Sequence, residues 1–147
     1  MKILIAIDES TSTDEIVRSI CKQIRPDQAE VRLLHVLEPI AASVPPQMAP
    51  GYAPELEAFA HDAKRLLART EKTLRAVGFK TDTLLKNGDI RESIIDAAAE
   101  WNADLIILGS HNRTGAHRFL LGSVAESVAR HAPCSVEIVR APHQRAA

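Results

Sequence analysis

The chain has 147 residues, 46% of them hydrophobic, and a formal net charge of −1 at neutral pH. This length and apolar content suit one globular domain with a core of its own. The near-neutral balance lacks the excess of Lys and Arg that follows a nucleic acid backbone, so we expect no nucleic acid partner. No apolar run approaches the roughly 20 residues of a membrane-spanning helix, so we also expect no membrane association.

The first residues are typical of a strand rather than of an export signal. The stretch before Asp8 is mostly apolar, but the acid follows too early for the apolar centre of a signal peptide, which favours a cytoplasmic protein. Cys21 and Cys134 are far apart, lie in apolar patterns and form no Cys-x-x-Cys spacing. We therefore predict two buried, reduced thiols.

Strands and helices alternate from the start of the chain. Lys2–Ile7 is a nearly continuous aliphatic run, typical of a central parallel strand covered on both faces. A helix with one apolar face follows and is closed by Pro26, and Glu30–Leu37 is the second strand. Pro39–Pro54 contains five prolines, which predicts a long loop. Such a loop is either a lid over a ligand or a solvated excursion.

The same alternation continues to the end of the chain. The predicted elements are a helix over Glu55–Val77, an edge strand over Phe79–Lys86, a helix over Ile90–Trp101, a strand over Asp104–Leu108, a helix over Ser123–His131 and a strand over Cys134–Val139. Gly78 is the expected stop of the long helix. We expect one domain over residues 1–141 and a disordered tail over residues 142–147.

This order of elements predicts an α/β fold, a doubly wound, five-stranded parallel sheet with helices on both faces. The first and fourth strands are the most apolar, so we place them side by side at the centre. Asp8 follows the first strand and Gly109 follows the fourth. Ligands of such sheets bind beyond the carboxyl ends of the strands, where the strand order switches, so these two residues should meet in one crevice.

The segment Gly109–Ser123 is the part of the chain best suited to bind a ligand. It joins an apolar strand to a helix N-terminus, where unpaired N–H groups and the helix dipole favour a phosphate. Gly109 and Gly122 leave no side chain in the way. Ser123 either caps the helix or donates its hydroxyl to a phosphate oxygen. A plain turn with a helix cap explains the same residues, because neither the Walker motif nor Gly-x-Gly-x-x-Gly is present.

Neither a zinc site nor a nucleophilic enzyme is indicated. His111, His117 and His131 lack the spacing of a zinc site, and no cysteine cluster joins them. His111 is better suited to donate to a phosphate. Ser110 stands beside His111 without a Gly-x-Ser-x-Gly elbow, so we assign no catalytic residues. No base for efficient ATP hydrolysis is evident, and slow hydrolysis is the most that these residues predict.

The spacing Gly109-x2-Asn112-x9-Gly122-Ser123 resembles the nucleotide loop of the universal stress protein family, Gly-x2-Gly-x9-Gly-Ser/Thr. Further similarities follow in order along nearly the whole chain, at Ile5–Ser10, Leu34–Val36, Gly88–Asp89, Ala103–Gly109 and Ala132–Val136. The main departure is Asn112 at the second glycine. Asn tolerates the left-handed backbone region, but its side chain lies near the expected phosphates.

The resemblance implies the adenine nucleotide alpha hydrolase-like fold, strand order 3-2-1-4-5, and homodimers formed through the last strand, Cys134–Val139. It implies ATP as the ligand, with Mg²⁺ or Mn²⁺ at the phosphates, adenine near Val36 and ribose near Asp8. The family's nucleotide contacts fall on these positions of the chain: Ala6, Ile7, Asp8, Val36, Leu108, Gly109, His111, Asn112, Gly122, Ser123, Val124 and Ala125.

Three functions are compatible with these features. The first is an ATP-binding stress-response regulator, a nucleotide-dependent dimeric sensor or switch acting on an unidentified protein partner. The second is a nucleotide-free dimeric interaction protein, which Asn112 favours because a branch of the resembled family lacks the glycine loop. The third is an enzyme on the same scaffold, at most a slow ATP hydrolase, for which no catalytic constellation is found.

Overall fold

A computed structural model describes residues 1–9, 12–39, 53–110 and 122–140. Its elements confirm the predicted alternation: β1 Lys2–Ala6, α1 Ser12–Gln23, a 3₁₀ turn Pro26–Gln28, β2 Glu30–Leu37, α2 Ala53–Val77, β3 Lys80–Asn87, α3 Ile90–Trp101, β4 Leu105–Gly109, α4 Ser123–His131 and β5 Ser135–Val139. Most of the predicted proline-rich loop and the predicted tail lie outside the described residues. None of the helices in the described ranges is long and apolar enough to cross a membrane.

The five strands form one parallel sheet in the predicted order, β3-β2-β1-β4-β5. β1 lies at the centre and pairs with β2 on one side and with β4 on the other. From β1 the chain first builds outward through β2 and β3, then returns to place β4 on the opposite side. The carboxyl ends of β1 and β4 therefore lie at the point where the strand order switches, which is where such sheets bind ligands.

Alternating residues of β1 build two cores, one on each face of the sheet. Ile3 and Ile5 are fully buried on the side of α1 and α2, together with Phe79. Leu4 is fully buried on the side of α3 and α4, together with Ile106. Side chains alternate across a strand, so a strand with an uninterrupted aliphatic run supplies both cores. The long apolar runs of β1 and β4 thus fix the two strands at the centre.

Fewer apolar residues of the helices are buried than their helical spacing predicts. Leu56, Phe59 and Val77 in α2 are 44%, 53% and 48% exposed, because the two ends of this long helix present apolar side chains that the described core does not cover. The predicted burial of Cys21 is wrong, since this residue of α1 is exposed, and Cys134 is only partly buried. Neither cysteine forms a disulfide.

Proline and glycine mark the two ends of α2. Pro54 was predicted to close the preceding loop, but it lies in the first turn of α2, where a missing N–H breaks no helical hydrogen bond. Gly78 ends the helix as predicted. Its φ of +112° is a conformation that side chains disfavour, and its N–H donates to the Arg75 carbonyl at 3.0 Å.

Candidate functional site

A crevice of about 400 Å³ opens beyond the carboxyl ends of β1 and β4. Its volume lies within the range of roughly 300–1,000 Å³ that is usual for small-molecule sites. Asp8 and Gly109 both line it, as predicted from the strand order. The predicted site residues that meet there are Ala6, Ile7, Asp8, Leu108, Gly109, Gly122, Ser123, Val124 and Ala125.

One predicted site residue that the structure describes, Val36, is not among those that line the crevice. Val36 is partly buried against the core beneath α3 and α4. His111 and Asn112 lie outside the described residues, so their placement stays a prediction. The sequence also left residues unassigned that do line the crevice: the polar Thr13, Glu38 and Arg91, and the apolar Ile16, Ile90 and Ile94.

The end of β1 is fixed by hydrogen bonds to two neighbouring elements. The hydroxyl of Thr13, a buried residue of α1, donates to the backbone carbonyl of Asp8 at 2.8 Å. The N–H of Ile7 donates to the Leu34 carbonyl at 2.9 Å, and His35 Nδ1 donates to the Ile7 carbonyl at 2.8 Å. The backbone that carries Asp8 into the crevice is therefore held by α1 and by β2.

The N-terminus of α4 forms another wall of the crevice. Gly122 is the N-cap, with φ −58° and ψ 152°, and no side-chain hydrogen bond caps the helix in the described part of the chain. Ser123, which the sequence allowed as the cap, is instead the first residue of the helix. The first-turn N–H groups of α4 thus lack intrahelical acceptors at the edge of the crevice.

Arg91, a residue of α3, contacts the N-terminus of α4. Its Nη2 donates to Ser123 Oγ at 3.0 Å. The start of α3 is itself capped by Asp89, whose Oδ1 accepts from the N–H groups of Arg91 and Glu92 at 2.9 and 3.0 Å. The other oxygen of Asp89 lies 3.9 Å from Arg91 Nη1. The hydrogen bond to Ser123 places the guanidinium at the N-terminus of α4, and the Asp89 carboxylate lies beside it.

Two carboxylates line the crevice, those of Asp8 and Glu38. Within the described ranges no three His, Cys, Asp or Glu side chains come together as a metal site. Mg²⁺ characteristically takes one or two protein carboxylates and completes its shell with water and ligand phosphates. The donor set therefore fits a divalent cation that arrives with a phosphate ligand.

The parallel sheet in the order 3-2-1-4-5, together with its likeness to solved universal stress protein structures, places the chain in the adenine nucleotide alpha hydrolase-like class of fold. The model of the universal stress protein family matches residues 1–140, so the chain belongs to this family.

Relatives from bacteria and archaea show the same architecture. The chain is 27% identical over 145 residues to the universal stress protein YxiE of Bacillus subtilis, a match that covers 95% of this chain and 98% of YxiE. The structure of the universal stress protein UspA from Lactobacillus plantarum has a TM-score of 0.83 at 26% identity, covering 95% of this chain and 97% of that one. A universal stress protein from Archaeoglobus fulgidus, solved in complex with dAMP, has a TM-score of 0.67 at 23% identity, covering 95% and 97%.

Proposed function

We propose that the chain binds an adenine nucleotide, ATP, in the crevice and acts as a nucleotide-dependent dimeric sensor or switch in a cytoplasmic stress response. The observation that carries this proposal is the meeting of Asp8, Gly109 and Gly122 at one crevice, where the end of β1 faces both ends of the segment Gly109–Ser123. A carboxylate, an open strand end and an uncapped helix N-terminus are the groups that a nucleotide needs for its sugar and its phosphates.

The phosphates belong at the N-terminus of α4. Gly109 and Gly122 leave room for close approach, the first-turn N–H groups point to an acceptor, and Ser123 contributes a hydroxyl. A Mg²⁺ or Mn²⁺ ion would be held by Asp8 and Glu38 jointly with the phosphates, and it would neutralise part of their charge.

The sugar and the base belong nearer to β1 and β2. The carboxylate of Asp8 accepts hydrogen bonds from ribose hydroxyls, and apolar side chains that line the crevice, Ile7 and Ile16 on one face of the sheet and Leu108 on the other, suit a base. The adenine position near Val36 rests on the family resemblance. The Archaeoglobus protein, which has the same fold and was solved in complex with dAMP, supports an adenine nucleotide as the ligand.

The dimer is proposed to form through β5, the edge strand that no described element covers on its outer side. An exposed apolar edge is a liability that proteins usually pair or protect. Antiparallel pairing with the same strand of a second copy satisfies the edge and gives a closed two-fold assembly.

A second candidate function is a nucleotide-free interaction protein with the same dimer. The Asn112 side chain favours it, because the family's loop has glycine at that position. The change Asn112→Gly separates the two candidates. If the natural protein binds no ATP and Asn112→Gly creates binding, the second candidate is correct.

The proposed function is tested by the nucleotide that the protein carries when purified. Acid extraction followed by ion-exchange chromatography should release ATP, in an amount that rises with protein concentration. The matched blank is the same extraction of an unrelated protein purified in parallel. Absence of any released nucleotide, together with no thermal shift on adding ATP, would contradict the proposal.

A further inference from the structure

Arg91 brings a positive charge into the crevice from α3, an element that the glycine-bearing loop does not include. It is the only Lys or Arg among the described residues that line the crevice, and the two acids that line it are Asp8 and Glu38. Without Arg91, the described residues that line the crevice would carry only negatively charged side chains. Among the described residues that line the crevice, Arg91 is therefore the side chain whose charge favours a phosphate.

The guanidinium is positioned but keeps donors for a ligand. An arginine has five N–H donors, and one of them, on Nη2, is used by Ser123 Oγ. The nearest carboxylate contact is Asp89 Oδ2 at 3.9 Å, beyond hydrogen-bond distance, and Asp89 Oδ1 already accepts two backbone N–H groups. Asp89 thus holds Arg91 in place without saturating it.

The contact with Arg91 also orients the Ser123 hydroxyl to donate a hydrogen bond to a ligand. Because Ser123 Oγ accepts a hydrogen bond from Arg91, its own proton is available to donate. Donation from a charged group polarises the hydroxyl and strengthens the hydrogen bond that it donates in turn. Hydrogen-bond donors therefore converge at the N-terminus of α4. They come from Arg91, from Ser123 and from the first N–H groups of the helix.

We propose that Arg91 is the charge-selecting residue of the crevice, a role that rests on the proposed nucleotide site. Its guanidinium binds a phosphate oxygen at the N-terminus of α4, so the crevice favours a phosphorylated nucleoside over the bare nucleoside. Arginine is suited to this role because its planar fork matches two phosphate oxygens at once. The bound phosphate then links α3 to α4.

The test compares Arg91→Met with Arg130→Met on protein stripped of nucleotide. Arg130 lies in the last turn of α4 and pairs with Glu126 at 2.9 Å, so its removal makes the same charge change outside the crevice. Dissociation constants for ATP, AMP and adenosine are measured by titration calorimetry. Arg91→Met should weaken ATP and AMP binding about 10- to 100-fold, the range for loss of a charge-assisted hydrogen bond.

Adenosine binding should change less than about twofold in Arg91→Met, since adenosine has no phosphate to form a charge-assisted hydrogen bond with the guanidinium. Arg91→Lys should fall between the wild type and Arg91→Met, and Arg130→Met should match the wild type. Raising the salt concentration should narrow the difference between the wild type and Arg91→Met.

Two results would overturn this role for Arg91 while the nucleotide site stands. One is wild-type ATP affinity in a folded Arg91→Met, and the other is adenosine binding weakened as strongly as ATP binding. A wild type that binds neither ATP nor AMP would contradict the proposed function and, with it, the role of Arg91. Circular dichroism and the melting temperature of each variant establish that it is folded.

Discussion

Proline at Ile138 should weaken the proposed dimer while leaving the hydrogen bonds between β4 and β5 in place. The N–H of Ser110 donates to the Val139 carbonyl at 3.0 Å, so the backbone of Val139 faces β4. In a parallel ladder the N–H and C=O of one residue point to the same neighbour, and successive residues alternate. Glu137 therefore also faces β4, and the N–H and C=O of Ile138 point to the open edge.

The size of the effect follows from the hydrogen bonds that the edge offers. Two-fold antiparallel pairing through the outward-facing Val136 and Ile138 makes about four backbone hydrogen bonds. Ile138→Pro removes one donor from each copy, or about two of them. At about 1 kcal/mol each, the dimer weakens by about 2 kcal/mol, which is about a 30-fold rise in the dissociation constant.

Two control variants separate pairing from packing. Ile138→Ala keeps the N–H but removes a side chain that packs on the core beside α3 and α4, so it should lower stability and leave the dimer nearly unchanged. Glu137→Pro removes a hydrogen bond to β4 and the contacts of Glu137 Oε1 with Ser19 and Gln23 at 3.1 and 3.0 Å, so it should destabilise the fold itself.

Sedimentation velocity from about 1 to 100 μM covers the range around a micromolar dissociation constant and measures the dimer in each variant. A wild type that is monomeric at the upper end, or a folded Ile138→Pro that dimerises as tightly as the wild type, would refute this reasoning.

Three further predictions concern the fold. Asp89→Ala removes the cap of α3 and should cost about 1 kcal/mol in urea unfolding, whereas Asp89→Ser should restore most of it; equal stability of the two variants would contradict the cap. Leu74→Ala, at a fully buried position, should cost about 2–5 kcal/mol, while Val77→Ala, at a position 48% exposed, should cost less than about 0.5 kcal/mol; similar losses would contradict the burial. Desolvation raises the pKa of the Cys21 and Cys134 thiols above the ordinary value. Because the thiolate reacts, maleimide labelling should be slow near neutral pH and accelerate as pH rises through the raised pKa, faster at the exposed Cys21 than at Cys134; a pH-independent rate would contradict this.

The adjacency of the first and fourth strands and the position of the crevice could be predicted because they depend on long-range rules that the sequence displays, whereas the full order 3-2-1-4-5 is implied by the family resemblance. Two uninterrupted aliphatic runs, before Asp8 and before Gly109, identify the strands covered on both faces. The right-handed crossover then leaves few ways to connect them. Once the two strands are placed side by side, the residues that follow them must lie close together. Predicting this proximity requires no knowledge of side-chain positions.

Arg91 could not be found in the same way. A charged residue in the first turn of a helix, just after an acidic cap, is typical of a solvated surface. Its role becomes visible only through the hydrogen bond to Ser123, which lies 32 residues away on another helix. Helix packing sets that contact, and no local pattern encodes it.

The error at Cys21 has a physical cause, and so does the cap of α4, which the sequence leaves open between two roles for Ser123. Helical spacing predicts which face of α1 is turned towards the core. The width of the buried face depends on the sheet that packs against the helix, and Cys21 lies outside the part that the sheet covers. Gly122 rather than Ser123 is the cap of α4 because the backbone leaves the helix one residue earlier than side-chain preference indicates, a shift within the usual uncertainty of helix ends.

The central claim, a phosphate site at the N-terminus of α4, is tested most directly by titrating stripped protein with ATP and Mg²⁺ in two variants of Gly122. Its φ of −58° and ψ of 152° suit any residue, and Asp and Asn both cap helices well, so Gly122→Asp and Gly122→Asn should fold at least as stably as the wild type. The wild type should bind ATP. Gly122→Asp should bind it at least about tenfold more weakly than Gly122→Asn, because a carboxylate would face the phosphates at close range. Equal affinity of the two variants, or a wild type that binds no ATP, would contradict the claim.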